Sequence, residues 1–383
     1  MKPFSLCVHG WREINHSYAL VNQYQLLELA KHPQITLYHE DLPLFDPKWS
    51  AARNSAGLDA ERRLRIASIP APGGESPDVI YRIGFPFRLY GANAGKLVVF
   101  MTSENYKFYP QDIYSGPEAS GAYWNNSPRL VTPSTWSKRG LVSYGFKEQD
   151  VAVVPHGVDP TTFYPVGREE SSRQRAALGI AEDCTLFLNV SAMSYNKGVD
   201  LLIVAFCTLW QKHKRMALIL KDQSNLYGNT AKALLSELAR QLPELLTRDA
   251  LATIHVLSDN LDLAQLRLLY GCADAYVSPY RAEGFNLPPL EAAACGTPVI
   301  LTAGGATDDY AHSSFALKTE SRKITSNELG VYLEPSLDHL IANMESVISG
   351  AARFDLEQGR RRVAEQNSWE AATRRLVEVM SAA

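Results

Sequence analysis

Residues 278–300 read SPYRAEGFNLPPLEAAACGTPVI, and the reading of this stretch decides the fold. The residues before it, AYV (275–277), are apolar and few, as expected within a buried parallel strand over 274–278. A loop with Glu283 and Gly284 follows. Asn286 or Leu287 then opens a helix over 287–295, with Pro288 and Pro289 in the first turn, where a missing N–H costs nothing. Free backbone N–H groups and a helix dipole thus stand at the carboxyl edge of a strand, which suits an anion, typically a phosphate. Open α/β sheets bind ligands at that edge. Glu283 and Glu291 flank the anion position. Because a carboxylate facing a phosphate is repelled, these acids are better used as acceptors for sugar or ribose hydroxyls. The residues alone leave a plainer alternative equally open, with Glu291 supporting the dipole and Glu283 solvated.

Working outward, apolar runs alternate with segments of helical period along most of the chain, the pattern of a parallel α/β protein. In the first part, strands are expected near 3–9, 35–38, 79–83, 97–102 and 151–154. The helix at 17–30 should place Leu20, Tyr24, Leu27 and Ala30 on one face. The second part predicts strands at 185–191, 216–221, 252–257, 274–278 and 298–301. Helices are predicted at 198–212, 230–241, 262–271 and 287–295, with three more near 335–349, 353–366 and 369–381. The loop HGVDPTTFYPVG (156–167) marks a boundary. With 383 residues, two domains are expected, 1–155 and 156–367.

Composition narrows the class. Lys plus Arg number 38 and Asp plus Glu 41, a formal charge of −3, which argues against a nucleic-acid-coating protein. Five scattered cysteines without a CxxC pair read as buried reduced thiols. No apolar run is long enough for a membrane span and no signal peptide is apparent, so a cytoplasmic chain is expected. The sequons at Asn15, Asn125 and Asn189 are then chance matches. No metal-ligand cluster is recognisable, and Asp308–Asp309 reads as a turn or cap.

EGFNLPPLE resembles the E-x7-E motif of retaining GT-B glycosyltransferases, in particular the family-4 group. Four further segments lie in the same order: PSTWSKRGLVSYGF with VVPHGVDPTTFYP (133–165), NVSAMSYNKGVDLLIVAF (189–206), LDLAQLRLLYGCADAYVSPYRAEGF (261–285) and EAAACGTPVILTAGG (291–305). The resemblance is close from 133 to about 310 and rests on pattern alone before that. It implies two Rossmann-like domains facing across a cleft, the first acceptor-binding and the second donor-binding. The last helix, 368–383, would cross back to the first domain, with hinges near 155–157 and 365–369.

Residue by residue, the resemblance implies that Glu291 holds the ribose hydroxyls and Glu283 those of the transferred sugar. The amides of Phe285, Asn286 and Leu287, beside Gly284, would meet the diphosphate. Lys197 would neutralise the leaving phosphate. A lysine at a helix start opposes the dipole unless an anion is present, which favours that role. Relatives often carry an arginine five or six residues before this lysine; Ser191 and Ala192 stand there, and Lys221 is the candidate substitute. The base would lie along Val256, Leu257 and Ser258. On the acceptor side, Gly10 would let backbone approach a ligand, and His16, Glu104 and Arg82 are candidate contacts, Glu104 standing where relatives place a histidine. The implied reaction is retaining transfer of a hexose from a nucleotide-diphosphate sugar to a glycan, lipid-linked or small-molecule acceptor. No metal or cofactor is implied. The alternatives are a degenerate sugar-nucleotide binder or an epimerase of the same fold. The helix at 58–69, with Arg62, Arg63 and Arg65, is compatible with peripheral membrane contact at the inner face or with a solvated surface.

Overall fold

A computed structural model describes residues 2–46, 49, 57–74, 76–109, 111–113 and 128–382; the Asn125 sequon lies outside them. Chain contacts divide it into two units, 1–157 with 369–383, and 158–368. Where the chain passes from one unit to the other, the Val158 N–H donates to the Asn367 carbonyl at 2.7 Å.

The first unit holds a parallel sheet of β1 (Phe4–Gly10), β2 (Ile35–Asp41), β3 (Val79–Ile83), β4 (Lys96–Phe100), β5 (Arg129–Thr132) and β6 (Val151–Val153), in the order β2-β1-β3-β4-β5-β6. The second unit begins with β7 (Thr185–Val190), β8 (Met216–Lys221) and β9 (Ile254–Leu257). It continues with β10 (Ala275–Ser278), β11 (Val299–Thr302) and β12 (Ala316–Thr319). Its order is β12-β11-β10-β7-β8-β9, again all parallel. The direction of winding reverses between β7 and β10, the point at which open sheets hold their ligands. An antiparallel hairpin, β13 (Ser321–Ser326) and β14 (Gly330–Pro335), is appended.

Several elements depart from the sequence reading. The strand β5, the helix Arg168–Ala177, the strand β12 and the hairpin were not expected. The helix Arg168–Ala177 has no buried residue and so no apolar stripe to detect. In the helix Ser17–Leu29, burial is not confined to one face: Asn22, Gln23 and Gln25 are buried alongside Tyr24 and Leu27, while Ala30 lies past the end and is exposed.

The last helix, Trp369–Ser381, packs in the first unit. Its Trp369 ring stacks on Tyr24 at 5.1 Å, and the Lys96 ammonium donates to the carbonyls of Val379, Met380 and Ala382 at its end. A cation there satisfies carbonyls that have no partner within the helix and complements the dipole. No helix among the described residues is long and apolar enough to cross a membrane.

Arg82, expected as an open contact, lies inside β3 and is buried; its guanidinium donates to the carbonyls of Arg88, Tyr90 and Gly91 and holds that loop. One cluster was invisible to spacing: Cys7 and His9 of β1 and Glu40 of β2 bring potential ligand atoms within 4.8 Å of one another. Burial pushes the Cys7 thiol up to about 12, and Arg82 sits opposite His9 in the register, both of which disfavour a cation.

Candidate functional site

The loop after β7 and the loop after β10 are neighbours because their strands are neighbours. Across β7 and β10, the Asn189 amide donates to the Val277 carbonyl at 2.8 Å, and the Tyr276 hydroxyl donates to that of Val190 at 3.0 Å. Beyond the strands the loops stay together. The amides of Arg281 and Ala282 both donate to the Asn196 carbonyl, at 2.7 and 3.1 Å. Gly198, at φ +67°, lies so close to the other loop that a Cβ would stand 1.9 Å from the Pro279 carbonyl oxygen. Gly198→Ala is therefore expected to destabilise the second unit by about 2–5 kcal/mol, from left-handed backbone strain and overpacking together. Urea unfolding measures it.

This lacing brings Lys197 Nζ to 2.9 Å from Glu283 Oε1, both side chains largely covered. It corrects one step of the sequence argument. A lysine at this helix start does have an anion beside it, and that anion is Glu283, so the lysine taken alone does not require a phosphate; its value as a marker lies in where the pair stands in the sheet. The whole run 275–286 is buried, unusual for a loop and an indication that it is held in one shape.

Glu291 lies in the helix Leu287–Ala294, is buried, and accepts a hydrogen bond from the Tyr270 hydroxyl at 2.8 Å. Burial pushes its carboxyl up to about 7, against the pull of that hydrogen bond. Glu283 and Glu291 both act on the phenols of Tyr276 and Tyr310, whose ionisation burial already suppresses. The two acids thus lie near the same buried tyrosines. Tyr280 fixes the far loop, pairing with the Thr307 hydroxyl at 2.9 Å and accepting from the Thr307 N–H at 3.2 Å.

The helix start carries Asn286 at φ +68°, a conformation non-glycine residues seldom adopt and which persists only when the surroundings impose it. Here the Asn286 side chain donates to Ser278 Oγ at 2.9 Å, and the Tyr310 hydroxyl donates to its carbonyl at 2.6 Å. Pro288 and Pro289 remove two N–H groups from the first turn. An anion at this end is therefore left with the amides of Leu287 and of the loop before it.

The other expected residues are placed as follows. Lys221 ends β8, opposite Val190; it is buried, its ammonium donates to the Asp222 carbonyl, and burial lowers its pKa. Ser191 donates its hydroxyl to Asn189 Oδ1 at 2.6 Å. Leu257 ends β9 beside Lys221. Asp308 accepts from the Gly304 N–H and pairs with Lys318, in keeping with a turn residue.

In the first unit, two of the expected residues have structural roles of their own. Gly10 is small because a Cβ would stand 2.6 Å from Asn22 Nδ2 and 2.8 Å from Ile83, a packing reason that needs no ligand. His16 caps the helix Ser17–Leu29, its Nδ1 accepting from the Tyr18 N–H at 3.1 Å, among the rings of Trp11, Tyr18 and Trp49. Burial holds its pKa down to about 4, so it is neutral and structural. The Glu104 carbonyl accepts from the Trp136 indole at 2.7 Å, and the residue is half-buried.

The sequence reading missed Arg281 and the tyrosines Tyr270, Tyr276, Tyr280 and Tyr310. Their only signal was polar residues inside otherwise apolar stretches.

Known proteins share both sequence and fold with this chain. The family model for glycosyl transferases group 1 matches residues 170–317. D-inositol 3-phosphate glycosyltransferase of Geodermatophilus obscurus is 33% identical over 256 residues, 67% of this chain and 52% of that protein. Its counterpart from Kineococcus radiotolerans is 32% identical over 183 residues, 46% of this chain and 40% of that protein. The chain thus matches about half the length, or less, of these curated relatives. Among solved structures, Anabaena HepE in complex with UDP and glucose superposes with a TM-score of 0.68 at 15% identity, covering 99% of each chain. A glycosyltransferase from Rickettsia africae also gives 0.68, at 14% identity, covering 99% of this chain and 98% of that one. Two parallel six-stranded sheets and the whole-length superpositions give the chain the GT-B fold, and within it residues 170–317 match the glycosyl transferases group 1 family.

Proposed function

We propose that the protein is a retaining glycosyltransferase that moves a hexose from a nucleotide-diphosphate sugar to a glycan, lipid-linked or small-molecule acceptor. The observation that carries this reading is the Lys197–Glu283 pair, 2.9 Å apart, at the point where the second sheet reverses its winding. The amides of Phe285, Asn286 and Leu287 would grip the diphosphate beside Gly284, and Glu291 would accept from the ribose hydroxyls. Glu283 would orient the transferred sugar. Lys197, already held between that acid and the phosphate position, would stabilise the charge that grows as the glycosidic bond breaks. Front-face attack lets the departing phosphate take the acceptor's proton, so no separate base is required. The relatives named above support a phosphorylated acceptor as one form of the substrate class.

We further propose that no metal takes part, since Lys197 and the loop amides supply the positive field a cation would otherwise give; activity in excess EDTA should equal that in buffer. Peripheral membrane contact would use the helix Ala60–Ala67, where Leu64 is 71% exposed beside Arg63 and Arg65. Co-sedimentation with anionic vesicles tests it, and loss of binding in Leu64→Asp is the expected result.

The function is tested by thermal shift against UDP-, GDP-, ADP- and dTDP-sugars. The true donor at 100-fold above its Kd should stabilise the fold by about 2.7 kcal/mol through mass action. A catalytically silent binder would show the same shift without releasing nucleoside diphosphate, and an epimerase would release none while altering the sugar. No shift with any of the four would reject the reading.

A further inference from the structure

We propose that Arg281 is a positioning residue for this site. It clamps the turn bearing Lys197 to the loop bearing Glu283, and it neutralises an acid that would repel a diphosphate. This inference rests on the donor-site reading above. Arg281 is only 4% exposed, and its side chain holds three separate elements. Nη1 donates to the Tyr195 carbonyl at 3.0 Å, and Nη1 and Nη2 grip Asp200 at 2.7 and 2.8 Å. Nε donates to both oxygens of Glu334 at 3.2 and 3.3 Å. The guanidinium also lies 4.0 Å from the Tyr195 ring centroid. Its own carbonyl accepts from the Leu333 N–H at 2.8 Å, so β14 is attached to the same point.

Two physical consequences follow. First, the turn Tyr195–Lys197 is fixed from both sides, by the Asn196 carbonyl accepting two amides and by Arg281 on the Tyr195 carbonyl, only two residues from Lys197. Displacing a catalytic group by about 1 Å can cost on the order of 100-fold in rate, so a clamp this close to the lysine bears on turnover. Second, Asp200 sits in the first turn of the helix Val199–Trp210, where the dipole welcomes an anion. Unpaired, its carboxylate would contest that end of the helix with a bound diphosphate. A bidentate arginine removes the contest, and lysine cannot, because it lacks the planar fork that spans Asp200, Glu334 and the carbonyl together.

The experiment compares Arg281→Lys, Arg281→Met and the triple variant Arg281→Met with Asp200→Asn and Glu334→Gln. Three readings are taken: Tm, kcat with the donor found in the screen, and amide hydrogen exchange at Lys197, Arg281 and Ala282. Arg281→Lys is expected to fold, to exchange faster at those amides, and to lose about 10–100-fold in kcat. The triple variant, in which neither half-buried acid is left facing a missing cation, should recover Tm over Arg281→Met but not kcat. Recovery of kcat together with Tm would show a role in folding alone and overturn the proposal, as would Arg281→Lys at wild-type kcat. If the wild type turned over none of the nucleotide sugars, the donor reading would fail. The exchange rates would still decide the clamp, unchanged rates in Arg281→Lys refuting it.

Discussion

Glu283→Gln and Lys197→Met should each lower kcat by about 100- to 1000-fold, the loss seen when one preorganised electrostatic contact to a reacting group is removed. The two should differ in binding. In the proposed arrangement Lys197→Met would take the cation from the diphosphate and leave Glu283, only 8% exposed, without its lysine beside an anionic ligand, so Kd for the free nucleoside diphosphate should rise as well. On the proposed roles, Glu283→Gln would keep Lys197 in place and lose a contact to the sugar only, so affinity for the nucleoside diphosphate should stay within about threefold of wild type. Because the pair is in direct contact at 2.9 Å, the double variant should cost far less than the product of the two single losses. Release of nucleoside diphosphate, measured for the four proteins, gives the cycle. Full additivity would mean that the two residues do not act as a unit.

Glu291→Gln should make the protein more stable and worse at its task. The Glu291 carboxyl rises from an ordinary 4.5 to about 7 because burial disfavours its charged form. A group whose folded pKa is raised gives stability that is fully present below 4.5 and is lost as pH climbs through about 7. The loss approaches about 3 kcal/mol above pH 8 by the conversion of one pKa unit to about 1.4 kcal/mol. Glutamine at this position has no charge to bury. Tm of Glu291→Gln should therefore exceed wild type by several degrees at pH 8 and match it near pH 5. Binding should move the other way. If ribose hydroxyls donate to the ionised form, ligand binding expels a proton from Glu291. Wild-type Kd should then improve between pH 6 and pH 8, and the heat of binding should depend on the buffer's ionisation enthalpy. Glu291→Gln should lose both dependences and bind more weakly at pH 8. A wild-type Kd flat across this range would mean that Glu291 does not meet the ligand.

Much of the second unit was legible because its chemistry is local. Glu283, Gly284, Pro288 and Glu291 stand within nine residues, and a strand, a loop and a proline-opened helix can be read from that distance. The strands β7, β8, β10 and β11 are buried on both faces and show as short, mainly apolar runs. The hairpin β13–β14 was not legible for the opposite reason: SRKITS is mostly exposed and polar, and its attachment runs through Leu333 and Glu334 to Arg281, more than fifty residues earlier in the chain. The strand β5 has only four residues and lies outside any longer pattern.

Among site residues, the ones misjudged were those whose partners are backbone or distant side chains. Arg82 reads as an available cation until the carbonyls of Arg88, Tyr90 and Gly91 are seen around it. Gly10 reads as an opening for a ligand until Asn22 is found filling the space. His16 reads as a reactive side chain at a helix start, yet that position is where a cap is needed. Tyr270 and Glu291 are 21 residues apart on different helices, and no periodicity joins them.

The central claim is that the loop and helix start at 283–291 hold an activated sugar, and a crystal structure with the nucleoside diphosphate of the donor identified in the screen tests it most directly. The expected result is phosphate oxygens within hydrogen-bond distance of the amides at 285–287 and of Lys197 Nζ, with the ribose hydroxyls on Glu291. A diphosphate bound elsewhere, with the Lys197–Glu283 contact undisturbed and Glu291 still facing only Tyr270, would contradict it.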